Sequence, residues 1–372
     1  MRGGPGQLLA GRYRLTDRPE PFRAHAVDER TGESVLLRAL ELPALLTAGQ
    51  DPEDVVPAQA DRLVRRVAAV GSAAPAKHPR LLRGVGAFVE GELLWTAEER
   101  PAGPTAADLL VDGPVQPYRA AELAADLAGA LRALHEAGLT HGNLTADSVL
   151  VCEDGAAMLG GLLAGVAQEG LAEELGGPGG RRRYDVRATL VGPVAERWPL
   201  DGGPAGDCWA LGVLLHRLVT GRSPYPEGGV PELVTAVRDG RREHSAACGP
   251  LGPLVERLLQ PDPVLRPTAE AVWRELAELL AGAPEPVDEE RVARAVTLKP
   301  QAPLVVRPRR GGRRGAGSGN SGSAAAGNGP GDGPGGGGKP PRIPPALLGP
   351  LLVGGVLALL ALGIAAVVLF AG

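Results

Sequence analysis

The side chains with the greatest capacity for chemistry lie in one short stretch, His141 to Ser148, which reads HGNLTADS. Asp147 is its only carboxylate and could act as a proton acceptor or ligand, although a solvated loop residue or local cap is the plainer interpretation. The amide of Asn143 can hydrogen-bond a hydroxyl but cannot accept a proton near neutral pH. Ser148 is a weak ligand for a hard cation. The stretch therefore predicts hydrogen bonding without a general base.

Two kinds of element must position this stretch. The first part of the chain contains strand-like runs such as SVLLRAL and LLWTAEE, whereas the second part contains long Ala/Leu segments. Three of these carry apolar residues at helical spacing: Tyr118 to Ala137, Asp207 to Thr220 and Ala269 to Leu280. The pattern predicts an α+β fold with a small β-rich lobe followed by a larger α-rich lobe.

The composition limits both the core and the partners. Hydrophobic residues make up 44% of the 372 residues but aromatic residues only 3%, so the core must be built from Leu, Val and Ala. A net charge of −4 argues against nucleic acid as a partner. Cys152, Cys208 and Cys248 are widely spaced and odd in number, which favours a reducing compartment over a disulfide scaffold.

Several segments follow one another in a familiar order. They include LAGRYRL, DERTGESVLLRALELP, LLWTAEERPAGPTAADLL, ALRALHEAGLTHGNLTADSVLV and DPVLRPTAEAVWRELAELL. In this order the chain resembles the bacterial, actinobacterial-type serine/threonine protein kinases. The resemblance implies a two-lobed protein-kinase-like fold over residues 9–281, with an N-lobe at about 9–98 and a C-lobe at about 102–281.

The resemblance also assigns positions for phosphoryl transfer, and the chain departs from the family at each of them. Between Leu15 and Phe22 lie only the residues TDRPEP, where the family has a longer glycine-rich loop over the phosphates. The remaining degenerate counterparts, from the third-strand lysine to the two magnesium ligands, are Arg38, Arg66, Asn143, Thr145, Ser148 and Gly161. Arg38 and Arg66 would face each other as two cations, with Asp61 as a shifted substitute for the missing acid.

These substitutions lead to the expectation of a pseudokinase, a kinase-shaped protein that is not an enzyme. We expect no cofactor and no metal, and ATP with magnesium belongs only to an alternative interpretation as a divergent kinase or ATP-binding switch. Residues that support the fold are expected to remain. By resemblance, Asp207 accepts hydrogen bonds from the backbone near His141 and Gly142, and Glu196 forms a buried ion pair with Arg266.

The C-terminal part of the chain has a different texture. Residues 282–345 are rich in Gly and Pro, which predicts a disordered linker. Residues 346–371 contain a long uncharged apolar run, which predicts one transmembrane helix. Arginines and lysines precede that run and no charged residue follows it, so the positive-inside rule places the large domain in the cytoplasm.

Three functions remain open at this point. The first is a membrane-localised scaffold that binds a cytoplasmic protein partner, the second a nucleotide-responsive switch, and the third an atypical enzyme. Arg181, Arg182 and Arg183 could form a docking or lipid-facing patch, although a solvated loop is the plainer interpretation. Thr297 and the serines near Ser318 could be phosphorylated, but ordinary linker composition also accounts for them.

Overall fold

Six antiparallel strands form the first lobe of the computed structural model. The structure describes residues 4–17, 20, 22–42, 52–73, 77–177, 180–198 and 202–283, all within one compact unit, Met1–Arg294. The strands are β1 (Leu8–Leu9), β2 (Tyr13–Leu15), β3 (Arg23–Asp28), β4 (Ser34–Glu41), β5 (Gly84–Glu90) and β6 (Leu93–Glu99). Their spatial order is β1-β2-β3-β4-β6-β5, so β3 and β4 lie in the middle of the sheet.

The two faces of this sheet carry different side chains because successive residues of a strand point to opposite sides. One face buries an apolar core made of Leu9, Tyr13, Leu15, Ala24, Ala26, Val35, Leu37, Trp95 and Ala97. The other face is polar along two cross-strand rows. Arg23 lies opposite Arg38, which lies opposite Thr96. His25, Leu36 and Glu98 form the adjacent row, so one patch of sheet presents two arginines and an acid to the second lobe.

The second lobe is mainly helical. Its elements are α2 (Ala106–Val111), α3 (Pro117–Glu136), β7 (Val149–Val151), β8 (Ala157–Leu159), α4 (Leu162–Gly176), α5 (Arg181–Val191), α6 (Gly203–Thr220), α7 (Val230–Arg238), α8 (Gly252–Leu258) and α9 (Ala269–Ala281). Helices α3, α6 and α9 begin and end close to the predicted residues. The two-lobed α+β prediction is therefore confirmed.

Helix α3 shows how an aromatic-poor sequence builds a core. Ala120, Leu123, Ala124, Leu127 and Leu131 are fully buried and follow the i, i+3, i+4, i+7, i+11 pattern of one helix face. Each buried leucine contributes about 1.5–3 kcal/mol through the hydrophobic effect, and the alanines let neighbouring helices approach closely. The prediction of a Leu- and Ala-based core is thus confirmed for α3.

A short hinge connects the lobes between β6 and α2. The N–H of Arg100 donates to the carbonyl of Ser34 (3.0 Å), and the N–H of Val151 donates to the carbonyl of Pro104 (2.9 Å). Gly103 has φ +136°, and a Cβ there would lie 2.2 Å from the carbonyl oxygen of Val151. Only glycine fits this crossing, which fixes the path of the hinge beside β7.

The remaining helix of the first lobe, α1 (Pro52–Ser72), packs against α4. Leu63 and Val67 join Leu163, Ala167 and Leu171 in one buried cluster. Helices α4 and α5 lie between β8 and α6 in the chain. The interpretation of Arg181 to Arg183 as a solvated loop is therefore wrong, because these residues form the first turn of α5.

The predicted membrane helix at residues 346–371 and nearly all of the predicted linker lie outside the described residues. The same is true of Thr297 and Ser318. Among the helices that the structure does describe, none combines the length and the apolar character that crossing a bilayer requires.

Candidate active site

Asp207, near the beginning of α6, organises the loop that follows α3. Its carboxylate accepts the N–H of His141 (2.9 Å) and the N–H of Gly142 (2.8 Å), as the sequence predicted. The Nε2 atom of His135 lies 2.8 Å from the same carboxylate. Burial lowers the pKa of His141 to about 4, so this imidazole is neutral at physiological pH. The loop is therefore held by one acid through two backbone donors.

Asn143 binds the loop to the segment that follows β8. Its Nδ2 donates to the carbonyl of Gly161 (3.1 Å), and the side chain is almost fully buried. Gly161 has φ +89°, and a Cβ there would lie 2.5 Å from that same Nδ2. The two positions that the family resemblance assigns to a base and to a magnesium ligand thus form an amide–glycine contact.

Ser148 is also engaged locally. Its hydroxyl accepts the N–H of Thr145 (2.8 Å) and donates to the carbonyl of Thr145 (2.9 Å), closing a short helical turn over Ala146–Ser148. Magnesium requires oxygen ligands in near-octahedral geometry. Neither a buried hydroxyl committed to this turn nor Gly161, which has no side chain, meets that demand, so the residues present do not fit a magnesium ion.

No other metal site replaces it in the part of the chain that the structure describes. Among those residues, no group of three or more His, Cys, Asp or Glu side chains is placed to hold a metal ion. The expectation that the chain binds no metal or cofactor remains a prediction.

Arg38 lies at the centre of the cleft between the lobes. Its Nη2 donates to the carbonyl of Asp147 (3.2 Å), and its electrostatic surroundings include Glu98 and Arg23. The Asp147 carboxylate is 62% exposed and lies 3.9 Å from Nη1 of Arg23. Burial lowers the pKa of Arg38. The side chain of Arg38, which stands at the family's lysine position, therefore contacts the backbone of the loop that follows α3.

Glu98 is a site residue that the sequence analysis missed. It is almost completely buried and accepts the N–H of Gly161 (2.7 Å) and the N–H of Leu163 (3.4 Å). Burial raises its pKa, while Arg38 and the two N–H donors oppose that shift. The available signal was an acid inside the run LLWTAEE, in a strand whose central residues are buried on both faces.

The predicted opposition of Arg38 and Arg66 is not what the structure shows. Arg66 forms an ion pair with Glu173 of α4, and the neighbouring Arg62 pairs with Glu174 (3.1 Å). Asp61, the proposed substitute acid, is exposed on α1. The reason is that α4 packs along α1 and supplies acidic partners that are distant in the sequence.

The predicted ion pair of Glu196 with Arg266 also needs correction. Glu196 is buried and accepts from Nε of Arg217 (2.9 Å) on α6. Arg266 donates to backbone carbonyls, including those of Gln260 (2.8 Å) and Ala205 (3.1 Å), and its guanidinium lies over the Trp209 ring. Both residues keep a structural position, but through different contacts.

A cavity opens beside the hinge, on the side of the first lobe. Its volume is ≈ 370 Å³, and its lining includes Thr16, His25, Ser34, Arg100 and Ala102. The walls come from β3, β4 and the hinge backbone. The predicted loss of the glycine-rich loop concerns residues 16–21, of which 18, 19 and 21 lie outside the described residues. A cavity of this size is large enough for a small-molecule ligand.

Comparison with known proteins places this cleft in context. A family model described as protein tyrosine and serine/threonine kinase matches residues 59–276. Relatives include the serine/threonine-protein kinase PkaA of Streptomyces coelicolor, 29% identical over 286 residues, which cover 76% of this chain and 49% of the relative. The Drosophila melanogaster serine/threonine-protein kinase PAK mbt is 26% identical over 217 residues, which cover 55% of this chain and 30% of the relative.

A third relative is the probable serine/threonine-protein kinase PkwA of Thermomonospora curvata, 27% identical over 193 residues, with coverages of 50% and 24%. The chain spans about half or less of the length of these relatives.

The prediction that the chain is not an enzyme is wrong, because the matched region is a kinase domain and the relatives are named kinases.

Proposed function

Because the chain belongs to the protein tyrosine and serine/threonine kinase family, we propose that it is a divergent serine/threonine protein kinase whose interlobe cleft binds a nucleotide. The observation that carries the proposal is the cavity of ≈ 370 Å³ beside the hinge, because kinase domains bind their nucleotide next to the hinge. Ala102 and Gly103 bring backbone groups to its wall, where N–H and C=O groups can pair with the polar edge of a base.

Phosphoryl transfer is the second part of the proposal, and Asp147 supports it. Its carboxylate lies in the catalytic loop, is largely exposed and faces Arg23 across the cleft. A relocated carboxylate is the group that could accept a proton from a substrate hydroxyl. A well-placed base contributes about 10²–10⁴ in rate, so Asp147→Asn is expected to reduce slow transfer to a serine-containing substrate by a factor in that range. Transfer unchanged in that variant would remove Asp147 from the mechanism.

Localisation and partners are further proposals that depend on sequence alone. The apolar run at 346–371 supports a single membrane anchor with the kinase domain in the cytoplasm, and the linker at 282–345 supports a tether. A cytoplasmic protein partner fits such a tethered domain. Proximity labelling in the native host, with and without residues 346–371, tests both proposals together.

Nucleotide binding is tested by thermal shift on the full chain. A ligand at 100 times its Kd stabilises the folded state by about 2.7 kcal/mol, which raises the Tm by several degrees. ATP is expected to produce such a shift, and Ala102→Trp, which fills the cavity, should abolish it. Ala137→Trp is the matched control because Ala137 is exposed at the end of α3. No shift with millimolar ATP in the unmodified chain would refute the proposal.

A further inference from the structure

Both lobes contribute arginines to one space around Asp147. Arg23 and Arg38 lie opposite each other on β3 and β4, and both approach Asp147, at 3.9 Å from its carboxylate and 3.2 Å from its carbonyl. Arg197 belongs to the second lobe, where it lines a small cavity together with Gly142. Gly142 lies in the same loop as Asp147. Its guanidinium interacts electrostatically with Arg38 and with Asp147.

Each of these three arginines has an unsatisfied donor. The Nε atoms of Arg23, Arg38 and Arg197 are buried, and none has a hydrogen-bond partner within the described ranges. Buried polar groups are almost always paired, so three unpaired guanidinium donors in one cleft indicate an acceptor from outside the chain. A guanidinium presents parallel N–H groups that match the oxygens of a phosphate.

The charge in the cleft points to the same kind of ligand. Three carboxylates act on these cations: Glu98 and Asp147 on Arg38, and Glu196 together with Asp147 on Arg197. Glu196 is already paired with Arg217. Glu98 is already committed to backbone donors after β8, and Asp147 is mostly turned to solvent. Arginines whose neighbouring acids are engaged elsewhere attract anions.

The same features disfavour a divalent cation. The two positions at which the family would ligate magnesium carry Ser148, engaged with Thr145, and Gly161, whose Cβ position is blocked by Asn143. A cation brought in with the ligand would also meet the guanidinium groups of Arg23 and Arg38 at close range. Like charges at such distances repel each other strongly in a medium of reduced dielectric constant.

We infer that Arg23, Arg38 and Arg197 bind the phosphate groups of a nucleotide directly, without a divalent cation. The inference rests on the proposed nucleotide binding for its nucleoside part, whereas the phosphate part depends on the arginines alone. Magnesium on the phosphates neutralises charge that the arginines would otherwise bind, so it weakens the complex.

Four titrations of the full chain by isothermal calorimetry test this inference: ATP with EDTA, ATP with excess magnesium, adenosine, and tripolyphosphate with EDTA. ATP in EDTA is expected to bind more tightly than both adenosine and ATP with magnesium, and tripolyphosphate is expected to bind measurably. Arg38→Gln should raise the Kd for ATP about 10- to 100-fold, the loss typical of a charged hydrogen bond, and leave the Kd for adenosine unchanged. Arg65→Gln is the matched control, since Arg65 is exposed on α1.

The outcomes separate this inference from the proposed function. Binding of ATP only in the presence of magnesium, or equal affinity for ATP and adenosine, overturns the arginine site and leaves nucleotide binding intact. Absence of binding by ATP, adenosine and tripolyphosphate overturns both. Should Arg38→Gln also lose adenosine, Arg23→Gln decides: a selective loss of affinity for ATP supports the site, and an unchanged Kd for ATP overturns it.

Discussion

Replacing Asp207 tests whether the loop geometry depends on this single acid. Asp207→Ala removes the acceptor for two backbone N–H groups, at His141 and Gly142, together with the contact to His135. Asp207 is 1% exposed, so water does not readily replace the lost oxygens. Each buried donor left without an acceptor costs about 1–3 kcal/mol. We therefore expect a loss of about 4 kcal/mol in the free energy of unfolding, a large part of the stability of a typical domain.

Asp207→Asn separates the contribution of charge from that of shape. The amide keeps one carbonyl oxygen for one of the two N–H groups, but its NH₂ group meets the other donor. The expected loss is about 2 kcal/mol, intermediate between the unmodified chain and Asp207→Ala. Asp61→Ala is the control, because Asp61 is exposed on α1 and its replacement should change stability by less than about 0.5 kcal/mol.

Urea unfolding of the full chain, followed by tryptophan fluorescence, measures these differences as shifts of the midpoint at constant slope. Trp209 lies two residues after Asp207 and is fully buried, so it reports on the same helix. Amide hydrogen exchange at Gly142 should accelerate in Asp207→Ala before global unfolding. A loss below about 1 kcal/mol, with exchange at Gly142 unchanged, would refute the argument that Asp207 holds this loop.

Three other predictions concern residues around the cleft. Glu196→Ala should destabilise the protein by about 1.5–3 kcal/mol in urea unfolding, because Arg217 loses its buried partner and keeps only the exposed Glu227. Glu227→Ala, which removes an exposed acid from the same arginine (2.5 Å), should cost less than about 1 kcal/mol, and equal losses would contradict the buried pair. Gly161→Ala should lower the Tm more than Gly177→Ala does, since both glycines have positive φ but only the former Cβ meets another atom within 4 Å. Finally, His141 has a folded-state pKa of about 4, below its ordinary 6.5, so the folded state binds fewer protons than the unfolded state does. The contribution of His141 to the free energy of unfolding is therefore complete above pH 6.5 and falls by about 3 kcal/mol as the pH drops from 6.5 to 4. His141→Gln should flatten that part of the profile of stability against pH. An unchanged profile in His141→Gln would show that another group causes the loss.

The sequence predicted well those features that depend on neighbouring residues. Period-3.6 apolar patterns placed α3, α6 and α9, and β-branched and apolar runs placed β4 and β6, because these signals are local. The contacts of Asp207 with the loop were also predictable, since the family resemblance assigns both Asp207 and the backbone at His141 and Gly142. In each case the sequence pattern contains all the residues on which the feature depends.

Features that depend on distant partners were not predictable in the same way. Glu196 is paired with Arg217, and Arg66 is paired with Glu173. The packing of α4 and α6 determines these pairs, and no local sequence pattern indicates them. Helix α5 begins with three consecutive arginines, whose positive charge opposes the helix dipole at the N-terminus, and ion pairs of Arg183 and Arg187 with Glu169 offset this repulsion. Glu98 escaped notice because a strand buried on both faces shows no alternation.

The contact between Asn143 and Gly161 constrains how this sequence can change one residue at a time. A side chain at position 161 must displace the amide of Asn143, whereas replacing Asn143 first loses a single hydrogen bond to the Gly161 carbonyl. Viable substitution paths therefore pass through position 143 before position 161, and the two positions are epistatic. A library that randomises both together reaches cleft chemistries that single-site scanning would discard at its first step.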